Sequence, residues 1–157
     1  MSDPDIIVRS AHLADGHEVM RLAGLMYEAM GVDASGDAWR RAGTNALAGR
    51  LGQDAAVFVA EDPSVLGRLA ACGAGTISTR LPGPRNPQPA VGYIQWISTD
   101  PTWQRRGLAR RIMIALLDWY DREDVRSVEL HATVEGEPLY RSLGFAEGPY
   151  RALRLRT

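Results

Sequence analysis

A chain of 157 residues can bury the core of one domain but is short for two, so residues 1–157 are expected to form a single domain. Its 45% apolar and 24% charged residues exclude disordered and fibrous proteins. A formal net charge of −1 excludes a global attraction to nucleic acid or to an anionic membrane, so neither is expected as a partner.

Cysteine content and the N-terminal residues bear on the compartment. The single Cys72 excludes an internal disulfide and a multi-cysteine metal site. No apolar run approaches the ~20 residues that cross a bilayer. Residues 1–10 carry acidic side chains where a signal peptide carries basic ones. We therefore expect a soluble cytoplasmic protein.

The first elements are predicted to be a strand and two helices. Ile6–Arg9 is a short β-rich run, and apolar residues at helical spacing between positions 19 and 29 predict a helix. Residues 36–52 predict a weaker second helix, because internal glycines lower its helix propensity.

An antiparallel hairpin and a proline-rich loop are predicted next. Apolar runs on either side of turn residues 62–67 predict two paired strands. The prolines between Pro82 and Pro89 exclude a regular strand or helix there. Because long loops inside compact domains often border binding sites, this loop is expected to lie near one.

The second half is predicted to alternate strands and helices. A strand at Val91–Thr99 is apolar on both faces, as in the middle of a sheet. The further elements are a helix from Gly107 to about Asp121, a strand at Ser127–Ala132, a short helix at Glu137–Leu143 and a final strand at Arg151–Leu155. The predicted class is α/β, with a mixed, mostly antiparallel central sheet flanked by helices in the order β-α-α-β-β-β-α-β-α-β.

The stretch QRRGLARR, residues 104–111, places four arginines at a helix start, where the helix dipole disfavours positive charge. A helix start has unpaired backbone N–H groups, and Gly107 would let an anion approach them. A bound phosphate would supply the missing negative charge. The residues alone leave two alternatives open, a solvated helix face beside acidic neighbours and a contact with nucleic acid.

Residues Gln104–Ala109 resemble the Q/R-x-x-G-x-G/A signature of the GCN5-related N-acetyltransferases, in which this turn binds the pyrophosphate of acetyl-coenzyme A (acetyl-CoA). Residues Pro138–Phe145, PLYRSLGF, resemble the family's LYxxxGF segment. The resemblance implies an acyl-CoA N-acyltransferase-like fold and an enzyme without a metal. Such an enzyme moves an acetyl group from acetyl-CoA to a primary amine by direct attack.

The resemblance also implies residue roles. The backbone N–H of Ile97 would polarise the thioester oxygen, and Tyr140 would be the general acid for the departing thiolate. Thr133 stands where many relatives carry asparagine, and its hydroxyl can still bond to the coenzyme. The implied coenzyme contacts are Ile97, Ser98, Thr99, Gln104, Arg105, Arg106, Gly107, Leu108, Ala109, Arg110, Thr133 and Tyr140.

The general base is left open. Many relatives carry a glutamate on the central strand, but Val91–Thr99 contains no carboxylate. Glu28, Glu129, His131 or water alone stay open as acceptors of the amine proton. Without an effective base, the chain would instead be a non-catalytic acyl-CoA-binding or sensing module.

The acceptor is a small-molecule or peptide amine of unspecified identity, and because relatives are often dimers, a homodimer is left open. Trp39, Trp96 and Trp103 would form an apolar acceptor wall together with the proline loop, or belong to the core. Arg80 and Arg85 would favour an acidic acceptor, or are solvated loop residues.

Overall fold

The computed structural model describes residues 6–157, which form one five-stranded sheet with helices on both faces. The strands lie side by side in chain order, and every neighbouring pair is antiparallel except β4 and β5, which are parallel. The strands are β1 Val8–Ser10, β2 Ala55–Glu61, β3 Leu69–Thr79, β4 Ala90–Thr99 and β5 Val128–Leu130. The helices are α1 Gly16–Ala29, α2 Ala38–Arg50, α3 Leu108–Arg122 and α4 Glu137–Ser142. The mixed, mostly antiparallel sheet flanked by helices confirms the predicted fold class.

The two faces of the sheet bury two apolar clusters. On one face, α3 packs Leu108, Ile112 and Leu116 against the strands. On the other, α1 packs its apolar stripe, including Leu22, with α2 outside it. Among residues 6–157, no helix has the length and apolar content that crossing a membrane requires.

Tyr120 of α3 fixes the middle of β3 and β4. Its ring occupies space that side chains at Gly75 and Gly92 would fill, since a Cβ at either position would lie within 2.5 Å of it. Its hydroxyl lies 3.1 Å from the carbonyl oxygen of Thr76 and 3.0 Å from that of Tyr93. The two glycines are therefore needed for this close approach.

A bulge in β4 and a short β5 open the sheet on one side. Opposite β3, Ile94 pairs with Gly75 and Trp96 with Ala74, so Gln95 is an extra, unpaired residue. On its other side, β4 pairs with β5 only from Gly92 to Ile94. Beyond Ile94 the two strands part and leave a gap beside the second half of β4.

The final strand predicted at Arg151–Leu155 is wrong. Residues 151–157 have no regular secondary structure and are exposed. The alternation of leucine and arginine predicted a half-buried strand, but Leu153 and Leu155 are 89% and 87% exposed. Without burial of that apolar face, the pattern has no packing surface to hold it in a strand.

Candidate active site

A cavity of about 680 Å³ lies where β4 and β5 part. Its walls come from the end of β4, the turn before α3, the first turn of α3 and residues 133–140. Every implied coenzyme contact lines this cavity except Arg106. The structure therefore brings together residues from three separated segments of the chain. We call this space the donor cavity.

Two backbone hydrogen bonds show how the bulge orients β4. The N–H of Gly92 donates to the carbonyl of Ser127 at 2.8 Å, so it points towards β5. In a regular strand Asp100, eight residues on, would point its N–H the same way. Instead it donates to the carbonyl of Ala70, at 2.8 Å, on the β3 side. The alternation of β4 has therefore reversed between the two residues.

This reversal determines which backbone groups face the donor cavity. Because Asp100 points its N–H towards β3, alternation directs the N–H groups of Ile97 and Thr99 away from β3, towards the gap. Without the extra residue at Gln95, they would point into the sheet. The Ser98 side chain points the other way and donates to the carbonyl of Leu22, at 2.7 Å.

The turn between β4 and α3, residues 100–107, has two residues in the left-handed region, and we call it the phosphate turn after the group that the resemblance implies it binds. Arg105 has φ 64°, unusual for a residue with a side chain, and Gly107, which caps α3, has φ 77°. Turns of this kind bring successive backbone N–H groups to one side and create a concave anion site. The N-terminus of the 15-residue α3 adds its unpaired N–H groups at the same place.

The four arginines of this turn have different surroundings. Arg105 and Arg110 line the donor cavity, and Arg110 also donates to Oγ of Ser142 at 2.8 Å. Arg106 lies over the ring of Trp103, with its guanidinium carbon 4.5 Å from the ring centroid. Arg111 donates to the carbonyl of Ile6 at 2.9 Å. Two of the four arginines therefore line the donor cavity, and the other two contact neighbouring residues of the fold.

Tyr140 lines the donor cavity. Its ring packs against Gly136, where a Cβ would approach it to 2.9 Å, and edge-on against Phe145. Burial raises the pKa of its phenol above 10. Thr133 helps to hold this segment, since its Oγ1 accepts a hydrogen bond from the N–H of Gly136 at 3.2 Å.

A second cavity, of about 930 Å³, adjoins the first. Its walls come from the end of α1, from β4 and β5, and from the C-terminal residues 152–156. The two cavities share Met26, Met30, Ile97, Thr133 and Tyr140. They therefore meet at the residues with implied catalytic roles. We call the second space the acceptor cavity.

The three side chains left open as general base lie in different places. Glu28 is exposed and lines neither cavity. Glu129 lines the acceptor cavity and forms an ion pair with Arg80, at 3.2 Å. His131 lines the same cavity, and its Nδ1 lies 2.9 Å from the hydroxyl of Tyr93.

Of the two alternatives left open for the tryptophans, the core is the one observed for Trp39 and Trp96. Trp96 is buried and donates its indole N–H to the hydroxyl of Tyr27 at 3.0 Å, and Trp39 packs edge-on against Tyr27. Neither tryptophan lines either cavity. Trp103 does, but on the donor side. Trp39 and Trp96 pack in or around the core, as tryptophans more commonly do.

The proline loop does not border the site either. Residues 82–89 line neither of the two cavities. Of the two arginines in or near the loop, Arg85 lines neither cavity, and Arg80 forms an ion pair with Glu129. The loop lies at the opposite end of β4 from the phosphate turn, because it leads into the first residue of that strand.

Sequence reasoning missed three contributors to the acceptor cavity, which are Tyr93, Gln95 and the C-terminal segment. The signal for Tyr93 was present, since strand alternation places Glu129 and His131 on one face and Tyr93 pairs with Glu129. That register is visible only once β4 and β5 are known to be parallel neighbours. Within residues 6–157, no group of three or more potential metal ligands is clustered.

Solved structures share this fold over nearly the whole chain. The predicted acetyltransferase of Clostridium acetobutylicum, determined with acetyl-CoA, has a TM-score of 0.85 and 20% identity, with 96% of each chain covered. A GCN5-related N-acetyltransferase from Ralstonia eutropha has a TM-score of 0.81 and 24% identity, covering 96% of this chain and 98% of its own. Glucosamine-6-phosphate N-acetyltransferase from Arabidopsis thaliana has a TM-score of 0.74 and 18% identity, covering 96% and 97%. At such identities the likeness establishes the fold alone.

Sequence comparison adds the family. No curated protein matches the chain. The family model for the GNAT acetyltransferases matches residues 20–145, from α1 through the phosphate turn to the end of the segment that carries Tyr140. Since this match spans most of the chain, the protein belongs to the GNAT family of acetyltransferases.

Proposed function

We propose that the protein transfers an acetyl group from acetyl-CoA to a primary amine by direct attack of the amine nitrogen on the thioester carbonyl. The observation that carries this proposal is the meeting of two cavities at Ile97 and Tyr140. One cavity ends at an anion-binding turn, as a phosphorylated donor requires. The other has its own walls beyond the five shared residues and offers space for a second substrate.

The donor cavity supplies binding and orientation. The N–H groups of the turn and of α3, with Arg105 and Arg110, would hold the pyrophosphate, each charge-assisted hydrogen bond contributing about 1.5–3 kcal/mol. Outward-facing N–H groups of Ile97 and Thr99 are available to an extended ligand lying along β4. Bound acetyl-CoA supplies the acetyl group as a thioester, the carbonyl of which an amine can attack.

The N–H of Ile97 is the candidate for stabilising the thioester oxygen as it becomes negative. Its direction is fixed by the bulge and by the hydrogen bond of Asp100 to Ala70, so it needs no reorganisation during the reaction. Removal of one such donor in other enzymes costs about 100- to 1,000-fold in rate.

Tyr140 is the candidate general acid. When the carbon–sulfur bond breaks, its phenol would donate a proton to the coenzyme thiolate. A raised pKa keeps the phenol protonated throughout the neutral range. Its neighbours Gly136 and Phe145 hold the ring at the junction of the two cavities.

His131 is the candidate that takes the proton lost by the amine, directly or through water. It lines the acceptor cavity, and its Nδ1 lies 2.9 Å from the Tyr93 hydroxyl. In the tautomer in which Nδ1–H donates to that hydroxyl oxygen, Nε2 carries the lone pair that would accept the proton. Glu129 is less suited to this role because its carboxylate forms an ion pair with Arg80, and Glu28 lines neither cavity.

Direct attack is favoured over an acyl-enzyme by the position of the only cysteine. Cys72 is fully buried beneath α1, in the cluster on the face opposite α3. Burial raises the pKa of its thiol to about 12, so the thiolate is scarce at neutral pH. It lines neither cavity.

Calorimetry and thiol release together test the proposal. Acetyl-CoA should bind the wild-type protein, and Gly107→Glu should abolish binding, because it places a charged side chain in the phosphate turn. With a panel of amines, Tyr140→Phe should retain coenzyme binding and lower thiol release by about 100-fold or more. Binding without thiol release in the wild-type protein would instead support a non-catalytic acyl-CoA-binding module. No binding at all would refute both.

A further inference from the structure

The C-terminal segment forms one wall of the acceptor cavity. Residues 152, 153, 154 and 156 line it together with Tyr93, Gln95 and residues of β5. This segment has no regular secondary structure. Its cationic side chains at the cavity are Arg154 and Arg156, whereas Arg151 lies outside the lining.

The charges around this cavity are unbalanced. Glu129 is the single carboxylate among its lining residues, and Arg80 pairs with it from outside the cavity, at 3.2 Å. Arg154 and Arg156 form no ion pair or hydrogen bond with any other residue in the range 6–157. The cavity therefore presents two uncompensated positive charges to whatever enters it.

These charges discriminate among amines. A simple alkylammonium ion would meet the two guanidinium groups and no free carboxylate, so its entry is disfavoured. An amine that also carries a carboxylate or a phosphate would satisfy both arginines, which suit planar, bidentate recognition of such groups. Nearby positive charge also lowers the pKa of the bound ammonium group and so favours the neutral, nucleophilic amine.

We propose that the acceptor is an amine bearing an anionic group, with Arg154 and Arg156 of the C-terminal segment as the residues that select it. The proposal rests on the acetyltransferase function proposed above. Its amine end would lie at the junction with the donor cavity, near Ile97 and Tyr140. The anionic end would lie towards the C-terminal wall. Met26 and Met30 also line this cavity, so the acceptor can carry an apolar part.

Matched pairs of amines test this selection and separate the two kinds of anion. L-Phenylalanine with L-phenylalaninamide tests a carboxylate, and O-phosphoethanolamine with ethanolamine tests a phosphate. Thiol release from acetyl-CoA is measured for each amine at equal concentrations. In at least one pair we expect the anionic member to have the higher kcat/KM, by about two- to fivefold for each arginine that it contacts, the range for exposed ion pairs. The preference should shrink as salt is added.

Variants of the C-terminal segment locate the effect. Arg154→Gln with Arg156→Gln should raise KM for the anionic member, leave its kcat nearly unchanged, and remove the preference within the pair. Arg151→Gln is the matched control, since it removes one charge from the same segment without touching the cavity lining, and it should preserve the preference.

Binding of acetyl-CoA, measured by calorimetry in each variant, separates this inference from the proposed function. If acetyl-CoA binds but the neutral amines react as well as the anionic ones, the inference is wrong and the acetyltransferase proposal stands. The inference is equally overturned if the double variant keeps the preference, or if no anionic amine is acetylated while neutral amines are. If the wild-type protein does not bind acetyl-CoA, both the inference and the proposed function are wrong.

Discussion

Asp100 joins the end of β4 to the turn before α3, and its replacement by asparagine is expected to destabilise the protein. Its side chain is 5% exposed and receives a hydrogen bond from Nη1 of Arg21 at 2.9 Å. Thr102 donates to it twice, from its N–H at 3.0 Å and its hydroxyl at 2.8 Å. Burial alone would raise the pKa of Asp100, but these hydrogen bonds outweigh burial and lower it from 3.8 to about 2.

The magnitude follows from this pKa. At about 1.4 kcal/mol per pKa unit, the charged form of Asp100 contributes about 2 kcal/mol to the free energy of unfolding. Because the pKa is lower in the folded protein, the contribution is complete well above pH 4 and is lost as the pH falls towards 2. Asp100→Asn should therefore cost about 2 kcal/mol at neutral pH and about half as much near pH 3.

Urea denaturation of the two proteins at neutral pH and near pH 3 measures this difference. Asp118→Asn is the control, since Asp118 is an exposed residue of α3 and lines neither cavity. Its effect should stay within about 0.5 kcal/mol at either pH. A cost for Asp100→Asn that is as small as the control, or that does not change between the two pH values, would refute the reasoning.

Three further predictions concern α3, the phosphate turn and the acceptor cavity. Tyr120→Phe should lower the free energy of unfolding by about 1–2 kcal/mol in urea. Burial raises the pKa of Tyr120, so wild-type stability falls above about pH 10 as the unfolded phenol ionises, and the difference should narrow there. Arg105→Gly should weaken acetyl-CoA binding in calorimetry without lowering the melting temperature, because glycine relieves the left-handed conformation at this position. Arg105→Gln should weaken binding and leave the melting temperature unchanged. His131→Gln should lower kcat by about 100-fold in thiol-release assays and leave acetyl-CoA affinity unchanged, while equal losses of both would indicate a structural role.

Local sequence signals were enough to predict which residues line the donor cavity. The phosphate turn, its glycine and α3 are contiguous in the chain. The motif at Gln104–Ala109 and the helical spacing of the apolar residues that follow it therefore identify them. Tyr140 lies in a second contiguous segment that the family resemblance covers. The final strand at Arg151–Leu155 was predicted from alternation alone and is wrong, because alternation does not reveal whether a packing surface exists.

The acceptor side depends on contacts that no local signal encodes. Tyr93 and His131 are 38 positions apart and meet only because β4 and β5 are parallel neighbours. The C-terminal wall is formed by a segment without regular structure. Parallel pairing has no turn to fix its register, unlike the hairpin of β2 and β3, so the sequence offers no marker for it.

The bulge at Gln95 explains why the chemistry of β4 could not be predicted from its side chains. Val91–Thr99 is apolar on both faces, so an inserted residue leaves no visible break in its pattern. Yet that residue reverses the backbone alternation, and the N–H of Ile97 faces the gap instead of β3. It also keeps Ile94 and Ile97 on the face covered by α3 while Trp96 faces α1. A single extra residue thus preserves both apolar clusters and turns a backbone hydrogen-bond donor towards the junction of the two cavities. Because the candidate oxyanion donor is this main-chain N–H, many residue types at position 97 could supply it, and the side chain there does not reveal the role.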